Sequence, residues 1–146
     1  MTALNPTFRF ATLTDVPLLA GFNKQLIVEE KHRNCMTPPE LEDRMRTWLS
    51  TGEYQAVLFL QDDHPAGYAL FRRDGADIYL RQFLVCTEFR RQGLGRAAIA
   101  WLRTRAWQAA PRIRVEALIH NAPAITFYRA LGFGDYCLTM ELEQNG

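Results

Sequence analysis

Apolar residues recur along this chain of 146 residues with two different periods, and each change of period marks the edge of an element. Phe8 to Ala11 predicts a short first strand. Thr14-Asp15-Val16-Pro17 then supplies a helix start, with proline near the first turn, and Leu18, Leu19, Phe22, Leu26 and Ile27 continue the helical stripe. The polar stretch Glu29 to Asn34 ends it. Thr37-Pro38-Pro39-Glu40 has the spacing of a capping box and opens a second helix through Leu41, Met45, Trp48 and Leu49. Three strand-like runs follow, Tyr54–Leu60, Gly67–Arg73 and Ile78–Val85. The turn signals Asp62-Asp63-His64-Pro65 and Asp74-Gly75 separate them, which predicts an antiparallel meander.

Leu94, Ala97, Ala98, Trp101 and Leu102 return to helical spacing, and that helix must end before Pro111. Ile113, Val115, Ala117 and Ile119 alternate with Arg114, Glu116, Leu118 and His120, predicting a strand with one core face. Strand, helix, strand implies a parallel crossover. Asn121 can cap a short helix carrying Ala124, Phe127, Tyr128 and Leu131, Gly132 stops it, and Phe133–Leu142 reads as a last strand. The expected architecture is a mixed α/β sheet with helices on both faces, formed by a single domain spanning residues 1–146.

The junction between Ile78–Val85 and the helix beginning near Gly93 is the most informative segment: Arg90-Arg91-Gln92-Gly93-Leu94-Gly95-Arg96. Its glycines let backbone N–H groups approach a ligand closely, and the positive end of a helix dipole suits a phosphate. Neither Gln92 nor Gly93 offers a Ser, Thr, Asp or Asn side chain to cap that helix, which leaves its first amides available to an anion. Charge agrees with this. The net charge is only +1, which speaks against a general nucleic-acid binder, yet Thr87 to Arg114 contains seven arginines against the single acid Glu88. For Arg90, Arg91 and Arg96 an anion role is the better reading, and the more distant arginines fit a solvated helix face equally well.

Cys35, Cys86 and Cys137 are odd in number, widely spaced and lack any CxxC pairing. That fits unlinked thiols in a reducing cytoplasm better than a disulfide framework or a metal site. No apolar run is long enough for a membrane span, so no membrane partner is expected.

Two readings of the glycines compete. Gly93-Leu94-Gly95-Arg96-Ala97-Ala98 matches the GxGxxA dinucleotide pattern, with Glu116 downstream, but Cys86 to Gln92 intervene between strand and glycines, and Glu116 lies inside its strand. A phosphate loop of the ATPase kind fails at Gly95-Arg96-Ala97, where lysine and a hydroxyl residue are required. The chain instead resembles the GNAT superfamily of acetyl-CoA-dependent N-acetyltransferases. That family's cofactor motif, Arg or Gln, two residues, Gly, one residue, Gly or Ala, is met by Arg90 through Gly95. Its second block is met by Asn121, Ala124, Tyr128 and Leu131-Gly132-Phe133.

The resemblance implies a GNAT-like acyl-CoA N-acyltransferase fold, α/β with about six to seven strands and four helices on both sheet faces. It implies acetyl-CoA as cofactor. Phe83, Leu84 and Val85 would contact its pantetheine arm through main-chain groups, Arg90, Arg91, Gln92, Gly93, Leu94, Gly95 and Arg96 would cradle the pyrophosphate, and Asn121 would touch the pantetheine region. The reaction it implies is direct attack of a primary amine, small-molecule or peptide, on the thioester. Tyr128, close to the cofactor, would protonate the leaving thiolate, although spacing alone fits a core tyrosine. The family's usual glutamate is missing from Ile78–Val85, so the base is open between Glu116 and His120, with Glu116 the first choice. Glu30 and His32, after the first helix, and Tyr79 and Gln82 are candidate acceptor contacts; a solvated helix end and simple burial are the alternatives for the two pairs. A non-catalytic acyl-CoA-binding or sensing module of the same fold is the competing function, and a homodimer fits the family's habit.

Overall fold

The computed structural model describes residues 5–145 and divides into two compact units, the first ending at Glu116 and the second beginning at Ala117. The first unit holds a sheet of β1 (Pro6–Phe10), β2 (Gln55–Gln61), β3 (His64–Asp74), β4 (Asp77–Val85) and β5 (Ile113–Val115), in that spatial order. β1 to β4 pair antiparallel, as the turn signals require, and β5 lies parallel to β4. The turns take their conformations from the expected residues: Asp62, Asp63 and Gly75 all have positive φ.

Helices α1 (Val16–Glu30) and α2 (Pro38–Thr51) cover one face of the sheet. Val16, Leu19, Phe22 and Leu26 of α1 and Met45 and Trp48 of α2 join Tyr54, Ala56, Leu58, Tyr68, Leu70 and Leu84 in a single core cluster. The capping box of α2 forms as its spacing implies: the Glu40 amide donates to Thr37 Oγ1, and the Thr37 amide donates to Glu40 Oε1 at 2.8 Å. Helix α3 (Leu94–Arg105) lies on the opposite face, where its Trp101 packs on Phe8, Phe8 on Phe59 and Phe59 on Phe83.

In the second unit α4 (Ala122–Ala130) is capped by Asn121, whose Oδ1 accepts from the Ala124 amide. It closes with the paired bonds Gly132 N–H to Arg129 O and Phe133 N–H to Tyr128 O, with Gly132 at φ 103° and the Phe133 ring against Tyr128.

Two expectations about strands are corrected. The alternation from Ile113 to Ile119 is strand only as far as Val115, and Ile119 is 81% exposed. Phe133–Leu142 forms no strand, and Tyr136, Leu138, Met140 and Leu142 are exposed. The described residues therefore contain five strands, below the expected six to seven. Period-two patterning states which side chains would share a face, but a strand also needs a neighbouring backbone to pair with. Among the described residues of the second unit α4 is the only regular element, so the alternation finds no ladder there.

Candidate active site

Strand β4 organises the first unit's chemistry, and its two halves differ. Pairing with β5 covers only Ile78 to Leu80, so the edge of β4 from Arg81 to Val85 runs on without a β5 neighbour. On the other edge the Cys86 amide donates to Ala66 O, and a Cβ on Gly67 would meet the Leu84 carbonyl at 2.0 Å. Main-chain groups alternate in direction along a strand, so those of Leu84 face β3 while those of Phe83 and Val85 face away from it. Of the three expected pantetheine contacts, Leu84 is thus turned inward, its side chain in the α1–α2 core.

After β4 the chain makes one 3-10 turn, Thr87–Phe89, and enters the glycine loop. Arg91 has φ 61° and Gly93 φ 79°. A left-handed arginine costs on the order of 1 kcal/mol, and the loop repays it by turning consecutive amides outward. The first bond of α3 is Ala97 N–H to Gly93 O. Among the described residues the amides of Arg91, Gln92, Gly93, Leu94, Gly95 and Arg96 have no protein acceptor. Leu94 is buried and anchors the helix start, while Arg91, Gln92, Gly93 and Arg96 are exposed. This donor set, with two cations beside it, suits a diphosphate. Arg90 is engaged differently: its Nε donates to Val85 O at 2.7 Å and its Nη2 to Glu29 Oε1 at 2.5 Å. It ties the loop to the end of β4 and to α1.

The first half of β4 carries side-chain chemistry. Leu70 pairs with Gln82 but Phe71 pairs with Leu80, which leaves Arg81 as an extra, bulged residue. A bulge lets two consecutive side chains share one face. Arg81 and Gln82 accordingly both reach the α1–α2 side: Arg81 Nη1 donates to the Tyr54 hydroxyl at 3.1 Å, and the Tyr68 hydroxyl donates to Gln82 Oε1 at 2.7 Å. The Arg81 guanidinium lies 4.8 Å from the Trp48 ring centroid and that of Arg44 lies 4.4 Å from it. Arg72 donates from Nε to the Tyr54 hydroxyl at 3.2 Å and sits 5.2 Å from the Tyr79 ring. The Tyr79 hydroxyl donates to Glu116 Oε1 at 2.5 Å. Burial, then the bond to Glu116, pushes the Tyr79 phenol up to about 12. A polar strip thus runs across the sheet from Glu116 to Arg44.

The remaining expected residues fall as follows. Glu30 closes α1, and its charge, after burial itself, helps hold the Tyr68 phenol well above its usual value. His32 is exposed, and its Nδ1 accepts from the Asn34 amide at 3.0 Å in the turn leaving α1. Tyr128, half-buried in the second unit, packs edge-on against Phe127 and Phe133. Cys86 is buried, and burial followed by the charges of Glu88 and Glu29 raises its thiol to about 11, so it is no thiolate nucleophile at neutral pH. Sequence reasoning missed Arg44, Trp48, Tyr54, Arg72 and Arg81. The available signal was Arg81, a charged residue within an apolar strand.

Solved structures share the fold. A possible acetyltransferase from Clostridium difficile 630 is 16% identical with TM-score 0.79, 95% of this chain covering 97% of that one. The aminoglycoside N-acetyltransferase AAC(6')-Iy in complex with CoA is 15% identical with TM-score 0.78, covering 99% of this chain and 98% of that one. An acetyltransferase from Clostridium acetobutylicum with acetyl-CoA is 16% identical with TM-score 0.74, covering 95% and 96%. No curated protein matches the chain. The acetyltransferase (GNAT) family model matches residues 25–133, and the chain belongs to that family. No helix among the described residues is long and apolar enough to cross a membrane.

Proposed function

We propose that this protein is an N-acetyltransferase that moves an acetyl group from acetyl-CoA to a primary amine by direct attack, and that residues 1–146 act as one catalytic domain. The row of unpaired amides from Arg91 to Arg96, flanked by the Arg91 and Arg96 side chains, carries the reading. The family match across residues 25–133 runs through the boundary between the two units and supports the single domain. Three free thiols accord with a reducing cytoplasm.

Acetyl-CoA supplies an activated thioester. The loop amides would hold its diphosphate, the part of β4 beyond its pairing with β5 would receive the pantetheine arm, and Asn121 would contact that arm as the family's motif implies. An alkyl ammonium has a pKa near about 10 and must lose a proton before its nitrogen can attack. Glu116 takes that proton, and Tyr79 orients the carboxylate by its hydrogen bond. As the new C–N bond forms and the C–S bond breaks, Tyr128 gives its phenolic proton to the departing sulfur.

Titration with acetyl-CoA, followed by thiol release over an amine panel, tests this. Binding with release of one thiol per amide formed is the expected result. No binding overturns it, and binding without turnover on any amine selects an acyl-CoA-sensing module instead. Tyr128→Phe should retain the acetyl-CoA Kd while kcat falls about 100-fold, the scale of general-acid catalysis.

A further inference from the structure

Elsewhere in the described residues Arg9, Arg46, Arg90, Arg114 and Arg129 each have a carboxylate within 4.0 Å. Arg44 and Arg81 differ from these in stacking on an aromatic ring. Both guanidiniums lie over the single indole of Trp48, and neither has a carboxylate in that range. Arg44 Nε is buried without a hydrogen-bond partner, and only Nη2 is bonded, to Asn23 Oδ1 at 3.0 Å. Arg72 adds a third positive charge through the shared Tyr54 hydroxyl, with Asp74 no nearer than 3.9 Å. Burial and the neighbouring Arg81 charge both work against the charged form of Arg44. Converging cations cost Coulomb energy that cation–π contacts offset only in part. An anion placed among them would remove the repulsion and satisfy the orphaned donor.

The strip that holds these arginines ends at Glu116, and the bulge at Arg81 is what turns that cation onto the same face. Resting on the acetyl-transfer reading above, we propose that the acceptor amine carries its own anionic group, a carboxylate or a phosphate. Arg44 and Arg81, flanked by Arg72, hold that group while Glu116 meets the amino end. A polycationic amine meets repulsion on this face.

The test uses the full chain with acetyl-CoA and four acceptors of similar size: β-alanine, O-phosphoethanolamine, propylamine and the polycation spermidine. One of the first two should exceed propylamine in kcat/KM by about tenfold or more, and spermidine should be poorest. Which of the two leads separates carboxylate from phosphate. Arg81→Gln and Arg44→Gln should each abolish that preference through KM, at an unchanged acetyl-CoA Kd that also certifies folding. Arg44→Lys should keep part of it. A readout independent of turnover is the tryptophan fluorescence change on titration with N-acetyl-β-alanine and with phosphate. It should saturate by millimolar concentration, vanish in Arg81→Gln, and be lost in Trp48→Phe. Turnover of propylamine or spermidine equal to the anionic amines overturns the proposal and leaves acetyl transfer standing. The absence of saturable binding to either anion likewise overturns it. Failure to bind acetyl-CoA overturns the underlying reading itself.

Discussion

The two halves of β4 show two ways of making a binding surface. Beyond Phe83 the surface is main chain: the end of β4 past its pairing with β5, and a loop with Arg91 and Gly93 at positive φ whose amides have no protein acceptor among the described residues. Its residues are consecutive, and most side chains there could change without moving an N–H group. Before Phe83 the surface is side chains brought from α2, β3, β4 and the residues just before β2 and just after β5, meeting at Trp48, Tyr54 and Tyr79. The first kind suits a constant ligand, which it can meet through groups every residue possesses. The second can vary residue by residue, which suits the partner that differs among enzymes of one scaffold.

Substitutions can separate the halves. The largest effect is expected from Gly93→Val, which forces a β-branched residue into a left-handed conformation at the amide cradle. Acetyl-CoA affinity measured by calorimetry should fall by at least about 100-fold, with the scale set by losing several charge-assisted bonds. An unchanged Kd would remove the loop from cofactor binding. Next, Glu116→Gln should lower kcat about 100-fold at neutral pH, leave the acetyl-CoA Kd alone, and recover with rising pH as the amine deprotonates in solution. A pH–rate profile of unaltered shape would exclude Glu116 as the base.

Gly67→Ala acts on the seam that sets the position of β4. A Cβ there would meet the Leu84 carbonyl at 2.0 Å, so the strands must part, costing about 1–3 kcal/mol. Thermal unfolding should show a clear drop in Tm, and no drop would mean that this seam is loose. The smallest effect is remote from both halves. Asp15 accepts from Arg9 at 2.9 and 3.0 Å and from the Thr12 amide at 2.8 Å, and the Arg9 bond leads in holding its carboxyl below 3.8. A depressed carboxylate contributes stability that is complete above the unfolded value and fades as pH falls through the folded one. Asp15→Asn should therefore lose about 1 kcal/mol at neutral pH, approach the parent as pH falls through the depressed folded value, and alter neither Kd nor acceptor preference.

Much of the architecture was legible because local signals and tertiary outcome agreed. The capping box at Thr37 and Glu40, the turns at Asp62-Asp63 and Gly75, the cap at Asn121 and the stop at Gly132 all formed where residue types placed them. The glycine loop was legible for the same reason, since its donors belong to the backbone and its position follows from neighbouring residues. Arg90 was half legible: its charge pointed to an anion, but the partner turned out to be Glu29, sixty-one positions away. The final alternation from Phe133 to Leu142 misled, because pairing depends on a neighbour that periodicity does not describe.

By itself the sequence determined the order of elements, the antiparallel meander and the cradle of amides at Gly93, all of which depend on backbone preferences and contacts between residues near in the chain. Only the tertiary structure decided that Arg44, Arg72 and Arg81 share one face with Glu116. That meeting requires the register slip at Arg81 and the packing of α2 on the sheet, and both arise from contacts between residues far apart in the chain.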